Sequence, residues 1–212
     1  MDEGEAGLRY RGYAIGDLAD RSSFEEVAYL LLYGHLPTDP ELKEFSAWLV
    51  DNRQLPEQVG HFVASLRPGM HPMDVLRTGI SLLGLSDPDA QDGSRAANLR
   101  KSVRLLAQIP RLVADSYHVM ASQQPPSPDQ QGTFAEHLLR LIAGHTHGEV
   151  GIAMAQALNV SLILYAEHEF NASTFSARVT ASTLTDLHGA ITAAVATLKG
   201  PLHGGANEAV AA

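Results

Sequence analysis

Three histidine-bearing stretches hold most of the chemistry this sequence offers. His203 stands in the run Leu198-Lys199-Gly200-Pro201-Leu202-His203-Gly204-Gly205-Ala206-Asn207-Glu208, between two helical patterns. Gly200 and Pro201 stop the preceding pattern, and Gly204 and Gly205 let the backbone approach another group closely. A histidine at such a junction can keep a neutral imidazole near a helix N-terminus, whose dipole disfavours the charged form. It can then donate a hydrogen bond to a carbonyl oxygen that is gaining negative charge. The plainer alternative is a loop histidine satisfied by backbone groups. His168 lies between Glu167 and Glu169 at the end of an apolar pattern. The two carboxylates favour a cationic ring that binds an anionic substrate, or the ring simply meets the helix C-terminal dipole. Asn171 opens Asn171-Ala172-Ser173-Thr174, a run of N-cap residues for a further helix.

The third stretch, Gly144-His145-Thr146-His147-Gly148-Glu149, offers three types of metal ligand. Glycines bound it and no other ligand cluster is near in sequence, so it reads as an interhelical loop and no metal is expected. His71 is held extended before Pro72 at a helix entrance and reads as positional, and His188, after Asp186 and Leu187, reads as structural. Neither a phosphate-binding glycine motif nor a serine triad is present.

The elements that must position these residues are helical. Residues 8–15 alternate apolar and polar side chains around Gly12, which predicts a short strand pair or an extended arm, the only β signal. Ser23-Phe24-Glu25-Glu26 is a capping box, followed by Phe24, Val27, Ala28 and Leu31 at helical spacing up to Gly34. Thr38-Asp39-Pro40-Glu41 repeats the signature ahead of Leu42, Phe45 and Leu49. Pro56 starts a helix with Val59, Val63 and Leu66 on one side, and Pro72 starts another, to about Gly84, with Val75, Gly79, Ile80 and Leu83 buried. A polar linker over 87–93 leads to a long helix over 94–121, bent at Pro110. A proline-rich surface loop follows at 123–128, then a helix over 133–143. Residues 149–166 are apolar on most sides, which predicts a central helix. The next, to about Thr185, is crowded with Ala, Ser and Thr and suits close helix packing or a subunit interface. Residues 187–198 complete the pair, and the sum is all-α with a short N-terminal hairpin or arm.

Composition narrows the function classes. The 212 residues suffice for one sizeable domain, which buries about 70% of its unfolded surface. A net charge of −9 without a Lys/Arg cluster argues against nucleic acid, yet leaves room for an anion in a local pocket. The absence of cysteine excludes disulfides and thiolate chemistry. Residues 1–6 lack the features of a signal peptide, and the most apolar run, around 160–166, is far short of the ~20 residues of a membrane span. These features predict a soluble, cytoplasmic protein without a membrane partner.

Five stretches carry a family likeness: 8–13 (LRYRGY), 23–33 (SFEEVAYLLLY), 71–78 (HPMDVLRT), 164–175 (LYAEHEFNASTF) and 200–210 (GPLHGGANEAV). On these the chain resembles the citrate synthase and 2-methylcitrate synthase family, in the family's order and spacing over nearly the whole chain. The resemblance implies a mostly helical homodimer with a large and a small domain and an active site between them. It implies condensation of an acyl-CoA, acetyl-CoA or propionyl-CoA, with the ketone of oxaloacetate, followed by thioester hydrolysis. Acyl-CoA is then a substrate, and no cofactor is expected. By the same resemblance His203 is the catalytic hydrogen-bond donor to the thioester carbonyl, His168 contacts oxaloacetate, and Asn171 lies close to that substrate.

The family pattern continues beyond this sequence, with a second histidine, a proton-abstracting aspartate, carboxylate-binding arginines and most CoA contacts. No residue of 1–212 matches that aspartate. The expectation is therefore that 1–212 is an incomplete large domain carrying part of the active site, inactive by itself. The alternative of another class is a non-catalytic helical remnant that pairs with a full-length subunit.

Overall fold

The computed structural model describes residues 7–127, 132–144, 148–167 and 169–205. Among these the fold is all-α apart from one hairpin. In chain order, β1 (Arg9–Tyr10) and β2 (Tyr13–Ala14) precede α1 (Ile15–Arg21), α2 (Phe24–Tyr33), α3 (Asp39–Asp51), α4 (Glu57–Ala64) and α5 (Pro72–Ser86). Then come α6 (Arg95–Met120), α7 (Phe134–Ala143), α8 (Gly148–Tyr165), α9 (Ala172–Ser182) and α10 (Leu187–Leu198). The chain divides into two compact units, residues 1–50 with 128–168 and residues 51–127 with 169–212.

In the first unit the predicted strand pair forms, with Arg9 opposite Ala14 and Tyr10 opposite Tyr13. Its two-residue turn places Arg11 at φ 50° and Gly12 at φ 95°, both left-handed, as the twist of a tight hairpin requires. The Ser23–Glu26 capping box is closed in both directions, and α2 ends on Gly34 at φ 99°. Ahead of α3, which buries Phe45 and Leu49, the Thr38 N–H and hydroxyl both donate to the Glu41 carboxylate, at 2.8 and 2.7 Å. Thr133 and Glu136 form a further capping box at α7. Glu25, buried on α2, accepts the Phe134 backbone N–H at 2.6 Å, and the Phe24 and Phe134 rings lie 4.8 Å apart. Asn159 of α8 accepts from the Phe24 N–H at 2.8 Å and donates to the Ser22 carbonyl at 3.1 Å, which fixes the α1–α2 junction.

The expectation that residues 149–166 form a central helix is corrected. α8 packs on α1, α2 and α7, yet Val150, Ile152, Met154, Leu164 and Tyr165 are exposed. Its apolar residues surround the axis, and its neighbours within the unit cover only part of the circumference.

In the second unit the core gathers Val59, Val63, Leu66, Val75, Ile80, Leu83, Leu105 and Leu112 from α4, α5, α6 and the turn after α4. A side chain at Gly79 would meet the Leu112 side chain at 2.6 Å, so α5 and α6 approach closely there. α6 runs through Pro110 as one element of 26 residues. The linker over 87–93 is pinned to α6. Arg104 reaches Asp87 at 2.7 and 2.8 Å and also Asp89, while Arg100 reaches Asp89 at 2.6 and 3.0 Å. These guanidinium groups hold the Asp89 carboxyl far below the usual carboxylate range. His188, 2% exposed, lies 3.5 Å from Asp87 and serves packing, as expected. α9 ends at Ser182, earlier than predicted, because the chain turns at Thr183 and Leu184 adopts φ 63°. No helix among the described residues is long and apolar enough to cross a membrane.

Candidate active site at the first turn of α9

The loop bearing His203 is wound onto the end of α10. The Gly200 N–H donates to the Thr197 carbonyl at 3.0 Å, and the Gly200 carbonyl accepts from His203 at 2.9 Å and from Gly205 at 3.2 Å. Gly204 must be glycine, since a Cβ there would stand 2.5 Å from both the Leu198 carbonyl oxygen and its Cδ1. The close approach anticipated for the Gly-Gly pair is therefore made to the helix that precedes it.

This turn aims the imidazole at another element. His203 Nε2 lies 2.7 Å from Ser173 Oγ, and the ring is half-buried. Ser173 is the second residue of α9. Asn171 is the N-cap of that helix, its Oδ1 accepting the Thr174 N–H at 2.9 Å. Asn171, Ser173 and His203 are thus brought together at one helix N-terminus, where the dipole presents partial positive charge. The cap consumes the carboxamide oxygen of Asn171, which leaves its NH₂ as the end suited to an anionic or carbonyl ligand. His168 lies outside the described residues. Glu167, the residue before it, is fixed by Tyr10, whose hydroxyl lies 2.9 Å from the Ile163 and Glu167 carbonyls and 3.2 Å from the Glu167 N–H.

Ser173 is the site residue that sequence reasoning missed. The run Asn171 to Thr174 reads as interchangeable cap residues, and no local pattern joins position 173 to a histidine 30 residues later. Of the other candidates, His71 is the N-cap of α5, its Nδ1 accepting the Met73 N–H at 3.2 Å. His145 and His147 lie outside the described residues. A cleft of about 580 Å³ in the first unit is lined by Ser22, Ser23, Thr133, Glu136, Gln156 and Asn159 among others. It holds none of the candidate residues, and Ser23, Thr133, Glu136 and Asn159 are committed to caps and junctions.

The fold and the site define an all-α protein with a histidine–serine pair set at a helix N-terminus by a glycine-rich turn. A family model described as "Citrate synthase, C-terminal domain" matches residues 1–212. Citrate synthase 2 of Bacillus subtilis is 44% identical over 204 residues, 96% of this chain and 54% of that protein. The 2-methylcitrate synthase of Mycobacterium tuberculosis is 46% identical over 203 residues, 96% of this chain and 50% of its own length. Among solved structures, citrate synthase from Pyrobaculum aerophilum superposes with a TM-score of 0.87 at 36% identity, covering 94% of this chain and 51% of that one. The Thermoplasma acidophilum citrate synthase, solved as a ternary complex with carboxymethyl coenzyme A and oxaloacetate, gives 0.86 at 30% identity, covering 95% and 52%. The chain belongs to the citrate synthase family. It spans about half the length of the curated relatives it matches.

Proposed function

We propose that this chain supplies the enol-stabilising and oxaloacetate-side groups of a citrate synthase-type condensation. Removal of a proton next to the thioester moves an electron pair into a C=C bond and leaves charge on the carbonyl oxygen. The enol carbon then attacks the ketone of oxaloacetate, and water cleaves the thioester to release CoA. A fixed neutral N–H donor at the oxygen lowers the first barrier. The observation that carries this reading is the 2.7 Å contact of His203 Nε2 with Ser173 Oγ. With Nε2 engaged, Nδ1 is the end left for substrate, and in the neutral ring it is a donor when Nε2 accepts the hydrogen bond of the Ser173 hydroxyl. Asn171 NH₂ and His168 are proposed to hold the oxaloacetate carboxylates through charge-assisted or donor contacts. The α-proton base is assigned to no residue of 1–212. Imidazole ¹⁵N spectra of the labelled chain test the donor assignment. A protonated Nδ1 with an accepting Nε2 is expected, and a protonated Nε2 would overturn it.

Relatives of both names are similar to this chain at 44–46% identity, so acetyl-CoA and propionyl-CoA are proposed as alternative substrates. They differ by one methylene, worth about 1–3 kcal/mol in an apolar pocket. Residues 1–212 are proposed as large-domain sequence. Pairing with a second copy is proposed through α8 and α9. The uncovered apolar side chains of α8 support it, as do Phe175 and Val179 on α9, a helix without a buried residue among those described. A purely structural pairing role uses the same faces, and oxaloacetate-dependent release of CoA thiol separates it from catalysis.

A further inference from the structure

The turn that presents His203 has little apolar anchorage. Pro201 and Leu202 are exposed, Leu202 completely, so polar contacts must set where the turn lies. Beside the His203–Ser173 contact, a second side-chain bond among the described residues ties this segment to a distant element. Lys199 Nζ, one residue past the end of α10, donates to Asp74 Oδ2 at 2.6 Å across 125 residues of sequence.

Both partners sit where helix electrostatics favours them. Asp74 is the third residue of α5, at the positive end of that helix, with Arg77 Nη2 3.1 Å from its other oxygen. Lys199 follows the last residue of α10, at the negative end of that helix. α10 and α5 pack antiparallel. The start of α10 abuts the end of α5, where a side chain at Gly84 would stand 2.9 Å from the His188 Cβ, and the end of α10 meets the start of α5 through Lys199 and Asp74. The first contact is buried and steric, whereas the second is a single ion pair, with side chains 34% and 38% exposed.

We infer that Asp74 and Lys199 are positioning residues for His203: their ion pair stops the last turn of α10 from fraying and so fixes where the turn over 200–205 aims the imidazole. The inference rests on the reading of His203 as the enol donor. A pair this exposed contributes little to global stability, so its work is local. A displacement of about an ångström at a catalytic donor costs rate steeply, which is how a surface pair comes to matter. The bond from Lys199, ahead of the nearby charges of Lys199 and Arg77, holds the Asp74 carboxyl below its ordinary range, so the pair is formed throughout the neutral region.

Amide hydrogen exchange of the 212-residue chain at neutral pH is the test. In Lys199→Met and Asp74→Asn, the amides of His203 and Gly205, both bonded to the Gly200 carbonyl, are expected to exchange at least tenfold faster. The amides of Ile80 and Leu83 in the α5 core should stay within twofold, and Lys199→Arg should keep all four near the parent. Unchanged exchange at 203 and 205, or parallel acceleration in the α5 core, would overturn the inference. In a full-length synthase carrying these residues, Lys199→Met is expected to lower kcat about tenfold with the KM for oxaloacetate unchanged. If His203→Ala retains turnover while Lys199→Met still loosens the turn, the donor reading fails. If His203→Ala abolishes turnover and the turn in Lys199→Met stays protected, only the tether fails.

Discussion

Two helices of this chain lead into a histidine-bearing segment, and they are held by opposite means. At the end of α8 the Tyr10 side chain, 1% exposed, inserts its hydroxyl among the Ile163, Leu164 and Glu167 carbonyls and the Glu167 N–H. One hydroxyl carries one proton, so it donates to one carbonyl at a time and accepts from Glu167. Burial pushes the Tyr10 phenol up, so it remains a donor across the working range. At the end of α10 the Lys199–Asp74 pair and the His203–Ser173 contact lie nearer solvent, around a turn with an exposed Leu202. The contrast teaches that buried polar knots carry stability, whereas exposed tethers set geometry at little energetic cost.

Substitutions that separate stability from geometry can break or sharpen this contrast. A more buried ionic network is that of Arg104, which serves Asp87, itself 3% exposed, and Asp89. Arg104→Met takes the guanidinium partner from the buried Asp87 carboxylate and is expected to cost about 3–5 kcal/mol in urea unfolding. A cost under 1 kcal/mol would show that this network carries no stability.

Tyr10→Phe comes next, at about 1–3 kcal/mol, because the Glu167 N–H and the helix-end carbonyls lose their partner. The same denaturation measurement checks it, and a loss near zero would erase the difference between the two helix ends.

A smaller, pH-dependent contribution comes from His188. Burial lowers its pKa below the ordinary 6.5, although Asp87 and Asp186 pull the other way. The unfolded chain therefore binds this proton at higher pH than the folded one, so stability rises with pH. The loss starts as pH falls below about 6.5 and grows toward the lower folded-state value. His188→Gln is expected to shrink the difference in unfolding midpoint between pH 7.5 and 5.5, and an equal difference in both proteins would contradict the sign.

Ser173→Ala should change stability least, by under about 1 kcal/mol, since its partner is half-buried. Its mark is local: the His203 ring nitrogens should shift and lose their fixed tautomer. An unchanged ring spectrum would remove Ser173 from the site.

Helices with signals written in adjacent residues were legible in the sequence. The Ser23–Glu26 box, Pro72 at the first turn and Gly79 on the buried face all describe local backbone needs. The exposure of α8 was not legible, because apolar residues all round a helix state that something covers it, not that this unit does. His203 was marked by its glycine frame and given a role by the family likeness, whereas Ser173, Tyr10 and Asp74, although inside the matched stretches, were given none. Their partners lie 30, 153–157 and 125 residues away, and their types suit many surface or cap positions.

The most direct test of the central claim is the turnover of His203→Ala in a full-length synthase carrying these residues, assayed with oxaloacetate and either acetyl-CoA or propionyl-CoA. The donor reading predicts a fall of about 10² or more in kcat, the scale of losing one oxyanion-type donor. A loss under threefold, with both thioesters, would return His203 to a loop histidine and contradict the account.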